Sequence, residues 1–80
     1  MVISVQISVY PLRQDRLTPA IEAVRESLEG AGLRPEVGAM STVVVGEDQT
    51  VFGALREGFR RAAEAGHVVM AVTLSNACPV

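Results

Sequence analysis

The side chains that could meet a ligand gather near the middle of the chain. The run Gly38-Ala39-Met40-Ser41-Thr42 places a thioether and two hydroxyls in consecutive positions. A hydroxyl becomes a nucleophile only when a general base lies beside it, and no histidine is near this run in the sequence. These residue types favour noncovalent binding of a small molecule.

Other catalytic arrangements find little support. The single cysteine, Cys78, precedes Pro79 and is far along the chain from the single histidine, His67. The adjacent carboxylates Glu47 and Asp48 stand where a helix begins, which favours a capping role over acid–base chemistry. We predict no catalytic residue, and the protein is expected not to be an enzyme.

The composition also argues against a metal, a cofactor and a disulfide. One cysteine and one histidine cannot form a disulfide or a multi-cysteine metal site. The glycines are dispersed one at a time, so no phosphate-binding loop is present.

The balance of charge argues against nucleic acid as a partner. The chain has seven basic residues, all arginine, against nine acidic ones, for a net charge of −2. Its one basic group, Arg56, Arg60 and Arg61, shares a predicted helix with Glu57 and Glu64, as on a solvated helix face.

The distribution of apolar residues argues against a membrane as a partner. No apolar run approaches the ~18 residues of a membrane span, and the first residues lack the features of a signal peptide. A free cysteine fits the reducing cytoplasm, which is the expected location.

Two alternating segments at the ends of the chain predict strands with one buried face. In the first, Ile3, Val5, Ile7 and Val9 alternate with Ser4, Gln6, Ser8 and Tyr10. In the last, Val68, Met70, Val72 and Leu74 alternate with Val69, Ala71, Thr73 and Ser75. The second face of both is small and uncharged, which suits a ligand or another subunit.

Two segments with apolar residues at helical spacing predict helices. The first has Thr18 as its N-cap, Pro19 at its first helical position and Gly30 and Gly32 at its end. The second has Asp48 as its N-cap, and Gly58 is expected to allow close packing on the sheet. The predicted apolar stripes are Ile21, Val24, Leu28 and Ala31 in the first helix, and Val51, Phe52, Leu55, Phe59, Ala62 and Ala63 in the second.

Between the helices, the sequence predicts a hairpin. Residues 33–40 are expected to form a strand that Pro35 weakens and places at an edge or at the strand's start, while Gly38 suggests a bulge or a close approach. The following run Val43-Val44-Val45 predicts a strand covered on both faces.

The resulting order, βαββαβ, predicts one α+β domain over residues 1–80, with residues 75–80 as a flexible tail. This is the ferredoxin-like arrangement, an antiparallel four-stranded sheet with both helices on one face and the first and third strands in its centre. The uncovered face is predicted to pack against another subunit.

The segments Ile7-Ser8-Val9-Tyr10-Pro11-Leu12, Gly38-Ala39-Met40-Ser41-Thr42 and Ala65-Gly66 resemble the YkoF-like thiamine-binding domain family. The resemblance implies a ferredoxin-like fold, self-association to dimers or tetramers, and noncatalytic binding of thiamine or its hydroxymethylpyrimidine part at a subunit interface. Relatives often finish the last strand with charged residues, which this chain lacks.

The residues expected to surround such a ligand are Gln6, Ser8, Tyr10, Gly38, Met40, Ser41, Thr42 and Thr73. Tyr10 and Met40 would supply walls, and the polar side chains would match the ring nitrogens and the amine. Two alternatives stay open. The polar side chains could line a subunit interface with no ligand, or the chain could be a small ferredoxin-like enzyme or regulatory subunit that acts through an oligomeric interface.

Overall fold

The sheet and its two helices follow the predicted order in a computed structural model, which describes residues 1–13, 18–64 and 66–77. The elements are β1 (Val2–Pro11), α1 (Thr18–Gly30), β2 (Glu36–Val37), β3 (Thr42–Glu47), α2 (Asp48–Ala63) and β4 (Val68–Ser75). The prediction that involves Cys78 falls outside the described residues.

The four strands form one antiparallel sheet in the order β2-β3-β1-β4. The two central strands are therefore β1 and β3, as right-handed crossovers require. The ferredoxin-like α+β fold predicted from the sequence is confirmed.

The core lies between one face of the sheet and the two helices. Its buried side chains come from alternate positions of the central strands and from one side of each helix. They are Ile3, Val5, Ile7, Ala20, Ala23, Val24, Leu28, Val44, Val51, Ala54, Leu55 and Ala62. The opposite face, here called the open face, carries no helix.

The two helices approach each other closely at Gly58. A Cβ atom at this position would lie 3.2 Å from the Cα of Val24. The close approach expected of Gly58 is therefore made, but against α1, and the prediction that it serves packing on the sheet was wrong.

The buried stripe of α2 differs from the predicted one. The side chains of Phe52 and Phe59 are 51% and 43% exposed, and Ala63 is exposed as well, whereas Ala54 and Gly58 are buried. Small residues occupy the contact between the two helices, so the bulky phenylalanines lie at the side of this contact. Hydrophobicity alone could not distinguish the buried positions of α2 from those at its side.

The start of α2 also corrects a prediction. The N-cap is Glu47, and Asp48 is the first helical residue, because β3 continues into the helix without an intervening turn. The side chains of Glu47 and Asp48 both accept hydrogen bonds from the Met1 amino group, at 2.9 and 3.3 Å. Asp48 therefore acts through its charge and not as a cap.

Helix α1 begins at Thr18, and the residues before it lie outside the described part of the chain, so the capping role of Thr18 stays a prediction. The helix ends at Gly30 and is followed by a turn at Gly32, where φ is 85° and the Leu33 amide donates to the Leu28 carbonyl at 3.1 Å. Ala31 is exposed beyond the last helical residue and is not part of the buried stripe.

Strand β2 is much shorter than predicted. It comprises only Glu36 and Val37, where residues 33–40 were expected. Pro35 precedes it and cannot donate to a ladder, and Gly38 follows it at the hairpin turn. The short strand does lie at the edge of the sheet, where it pairs with β3.

Candidate ligand-binding site

Strand β1 has two parts with different neighbours. Residues 2–7, the fully paired part, have β3 on one side, and most of them have β4 on the other. Pairing with β3 stops at Ile7 and Thr42, whereas pairing with β4 continues to Pro11 and Val68. Residues 8–11, the half-paired part, therefore have a strand on one side only, and a notch in the sheet remains on the other.

The tip of the β2–β3 hairpin borders this notch. The Gly38 amide donates to the Ser41 carbonyl at 2.8 Å, which leaves Ala39 and Met40 at the turn. A Cβ atom at Gly38 would lie 3.3 Å from the Ser41 carbonyl oxygen, so the turn favours glycine there. The close approach suggested by Gly38 is thus made within the hairpin itself.

Two side chains of β1 hold the hairpin tip. The Ser8 hydroxyl donates to the Met40 carbonyl at 3.2 Å, and the Gln6 side-chain amide donates to the Ser41 hydroxyl at 3.4 Å. Both bonds form on the open face of the sheet. They fix the position of a turn that has no ladder bond to β1.

A cavity of about 220 Å³ occupies the notch. Helix α1 contributes Ile21 and Val24, and β2 contributes Val37. The complete lining is Ile7, Ser8, Val9, Tyr10, Ile21, Val24, Val37, Gly38, Ala39, Met40, Ser41 and Thr42. The walls are mostly apolar with a few polar groups, which is the usual character of a small-molecule site.

The lining includes residues from both faces of the sheet. Thr42 pairs with the buried Ile7 and so lies on the helix-covered face, whereas Ser8 and Tyr10 alternate with Ile7 and lie on the open face. Residues of opposite faces meet at one cavity because the sheet is incomplete there.

The structure brings together six of the eight predicted ligand-binding residues. Those that line the cavity are Ser8, Tyr10, Gly38, Met40, Ser41 and Thr42. Gln6 and Thr73 do not. They pair with each other on the open face, and Gln6 reaches the site only through its bond to Ser41.

Sequence reasoning missed the apolar walls. Ile21 and Val24 were assigned to the core stripe of α1, and Val37 to a longer strand. The stripe indicated that both residues of α1 face the sheet. It did not indicate that the sheet is incomplete opposite them, which depends on the position of the hairpin turn. The positions of Pro35 and Gly38, which limit β2 to two residues, were the signal that could have indicated this turn.

No Asp, Glu, Lys, Arg or His side chain lines the cavity among the described residues. Two groups with shifted pKa values lie on α1, outside the cavity lining. There, hydrogen bonding to Arg25 lowers the pKa of Glu22, and the pKa of Arg25 is raised in return. The cavity itself is uncharged.

At the far end of β1, the pKa of the Met1 amino group is raised by its bonds to Glu47 and Asp48. No group of three or more His, Cys, Asp or Glu residues is placed to hold a metal ion in the described ranges. Within the same ranges, neither helix has the length and hydropathy needed to span a bilayer.

The open face carries exposed apolar side chains close to the predicted polar ones. Val43, Val45 and Val69 are 39%, 48% and 47% exposed. The prediction that the valine-rich strand is covered on both faces is therefore wrong within a single chain, where only Val44 is buried.

Comparisons with known proteins agree with this architecture. Residues 2–80 match the YKOF-related family. No curated protein matches the chain.

Solved structures share the fold. A proposed thiamine biosynthesis/salvage protein of Thermotoga maritima is 27% identical with a TM-score of 0.81, over 94% of this chain and 83% of its own. A Streptococcus pneumoniae protein is 23% identical with a TM-score of 0.87, over 99% of this chain and 90% of its own. A hypothetical protein of Methanocaldococcus jannaschii is 18% identical with a TM-score of 0.86, over 99% of this chain and 84% of its own.

Proposed function

The chain belongs to the YKOF-related family, and we propose that it is a noncatalytic binding protein for the hydroxymethylpyrimidine ring, free or as part of thiamine. A thiamine-related role is supported by the family and by the Thermotoga maritima neighbour. The observation that carries the proposal is the uncharged, mostly apolar cavity at the half-paired part of β1.

The volume of the cavity favours a ligand of one ring. Pockets for drug-sized molecules are roughly 300–1,000 Å³, whereas this cavity is about 220 Å³. An aminopyrimidine is flat and mostly apolar, with donors and acceptors on its rim. When thiamine binds, its pyrimidine would occupy the cavity and its thiazolium would lie outside.

The lining supports binding and not catalysis. General acid–base chemistry needs a group that titrates near the working pH, and no carboxylate, imidazole or amine lines the cavity among the described residues. The Thr42 hydroxyl, on the helix-covered face, makes no hydrogen bond to the described residues and is free to bond the ligand.

Self-association through the open face belongs to the same proposal. A soluble monomer seldom exposes a large contiguous apolar patch, and Met40, at the hairpin tip, is 82% exposed. A second subunit on this face would cover the exposed valines together with Gln6 and Thr73, which lie outside the cavity lining. Sedimentation velocity at micromolar protein is expected to show a dimer or tetramer, and a monomer alone would remove this part of the proposal.

Isothermal titration calorimetry with hydroxymethylpyrimidine and with thiamine tests the binding proposal. We expect saturable heat with both, and both ligands should be recovered chemically unchanged after incubation. Absence of heat at protein well above micromolar would reject binding, and conversion of either ligand would favour the enzyme alternative.

A further inference from the structure

The backbone of Val9 is the unusual feature of the cavity. In an antiparallel sheet, the amide and carbonyl of one residue point to the same neighbouring strand, and successive residues alternate between neighbours. The Leu12 amide donates to the His67 carbonyl at 2.8 Å, so even-numbered residues of β1 bond toward β4.

The odd-numbered residues of β1 bond toward β3. The Asp48 amide donates to the Met1 carbonyl at 3.0 Å, which sets the same alternation from the other end of the strand. Val9 is odd-numbered, so its amide and carbonyl point into the notch. There the register, if continued, would pair Val9 with Met40.

The hairpin does not supply this pairing. A continued ladder would direct the Met40 carbonyl to the Val9 amide, but that carbonyl accepts a bond from the Ser8 hydroxyl instead. No loop backbone bond to Val9 exists among the described residues. A half-buried strand residue that lines a cavity thus presents one free donor and one free acceptor.

Leaving a backbone amide and carbonyl without hydrogen-bond partners in an apolar site costs free energy. These two groups of Val9 can bind a ligand edge that has an acceptor beside a donor, as the backbone of an added strand has. An aminopyrimidine has this rim, in the exocyclic amine and the ring nitrogen next to the amine-bearing carbon.

We infer that the Val9 backbone binds the aminopyrimidine edge through two hydrogen bonds. Its amide donates to the ring nitrogen adjacent to the amine-bearing carbon, and its carbonyl accepts from the exocyclic amine. Ile21, Val24 and Met40 then contact the faces of the ring. This inference rests on the proposed function and specifies which edge of the ligand faces the protein.

Two ligand analogues test the inference. In one, C–H replaces the ring nitrogen adjacent to the amine-bearing carbon. In the matched control, C–H replaces the other ring nitrogen. We expect the first analogue to bind about fivefold more weakly than the control, since one lost hydrogen bond costs ~1 kcal/mol.

Amide hydrogen exchange of the labelled protein supplies the second readout. In the free protein, the Val9 amide is expected to exchange much faster than those of Val5 and Ile7, although all three lie in one strand. Hydroxymethylpyrimidine should slow Val9 exchange at least tenfold and shift its resonance.

The outcomes separate this inference from the proposed function. If hydroxymethylpyrimidine binds but both analogues bind alike and Val9 exchange is unchanged, the inference is wrong and the proposed function stands. If the Val9 amide is already protected in the free protein, the notch is closed and the inference is wrong. If hydroxymethylpyrimidine does not bind at all, both fail.

Discussion

The two parts of β1 have the same alternating pattern and opposite roles. In the fully paired part, residues 2–7, Ile3, Val5 and Ile7 are buried against the helices, and β3 satisfies their backbone groups. In the half-paired part, residues 8–11, Val9 is only half-buried and its outer edge borders a cavity.

The candidate site therefore arises where β1 loses its pairing with β3. Both parts have β-branched residues on one face and polar ones on the other, so side-chain chemistry alone does not distinguish them. The start of β3 at Thr42, directly after the hairpin turn, decides which part is core and which is site. Changes in the first part should therefore affect stability, and changes in the second part should affect binding.

The largest expected effect is Ile3→Ala in the fully paired part. Because Ile3 is buried, its truncation should lower the free energy of unfolding by about 2–5 kcal/mol. Tyr10→Ala, the matched change in the half-paired part, removes a half-exposed side chain and should cost no more than about 1 kcal/mol. Urea denaturation measures both, and equal losses would contradict the division of β1.

A smaller effect is expected from Thr42→Val, which removes the hydroxyl on the cavity side. Loss of one hydrogen bond should weaken hydroxymethylpyrimidine binding by up to about tenfold while stability changes little. Thr73→Val on the open face is the matched control and should leave affinity unchanged. If the control weakens binding as much, the ligand lies on the open face, at a subunit interface.

The smallest effect is expected from pH. Ligand affinity should be constant between about pH 6.5 and 8.5, since no carboxylate, imidazole or amine lines the cavity among the described residues. A titration step in calorimetry within this range would point to an ionising group at the site.

Acid should act on stability instead. The pKa of Glu22 in the folded chain is lowered from its ordinary value of 4.5 by Arg25. Its contribution is therefore complete above that value and is lost as the pH falls through the folded pKa. Arg25→Met should flatten this acid dependence in thermal unfolding, and an unchanged pH profile would show that the pair contributes nothing.

Much of the fold followed from the sequence because periodicity is local. Alternation in β1 and β4 and the apolar stripes of the helices were sufficient for the element order and the sheet topology. The errors occurred where the burial of a residue depends on contacts with other elements of the fold. Phe52 and Phe59 fit the helical stripe, but Gly58 sets the helix contact and leaves them on the flank.

The candidate site was only partly predictable for the same reason. Ser8, Tyr10 and the hairpin residues were expected together because β1 and the hairpin are sheet neighbours. The walls from Ile21 and Val24 depend on how α1 crosses the notch, and the free backbone of Val9 depends on where a ladder ends. Neither the crossing of α1 nor the end of the ladder can be deduced from the types of the residues involved.

The central claim is that the half-paired part of β1 and the hairpin tip form the ligand site. A two-dimensional amide NMR titration with hydroxymethylpyrimidine tests it most directly. We predict that shift changes concentrate at residues 8–10, 38–42 and 21–24, while residues 2–5 and the α2 surface stay unchanged. Shifts confined to Gln6, Thr73 and the rest of the open face, or no shifts at millimolar ligand, would contradict it.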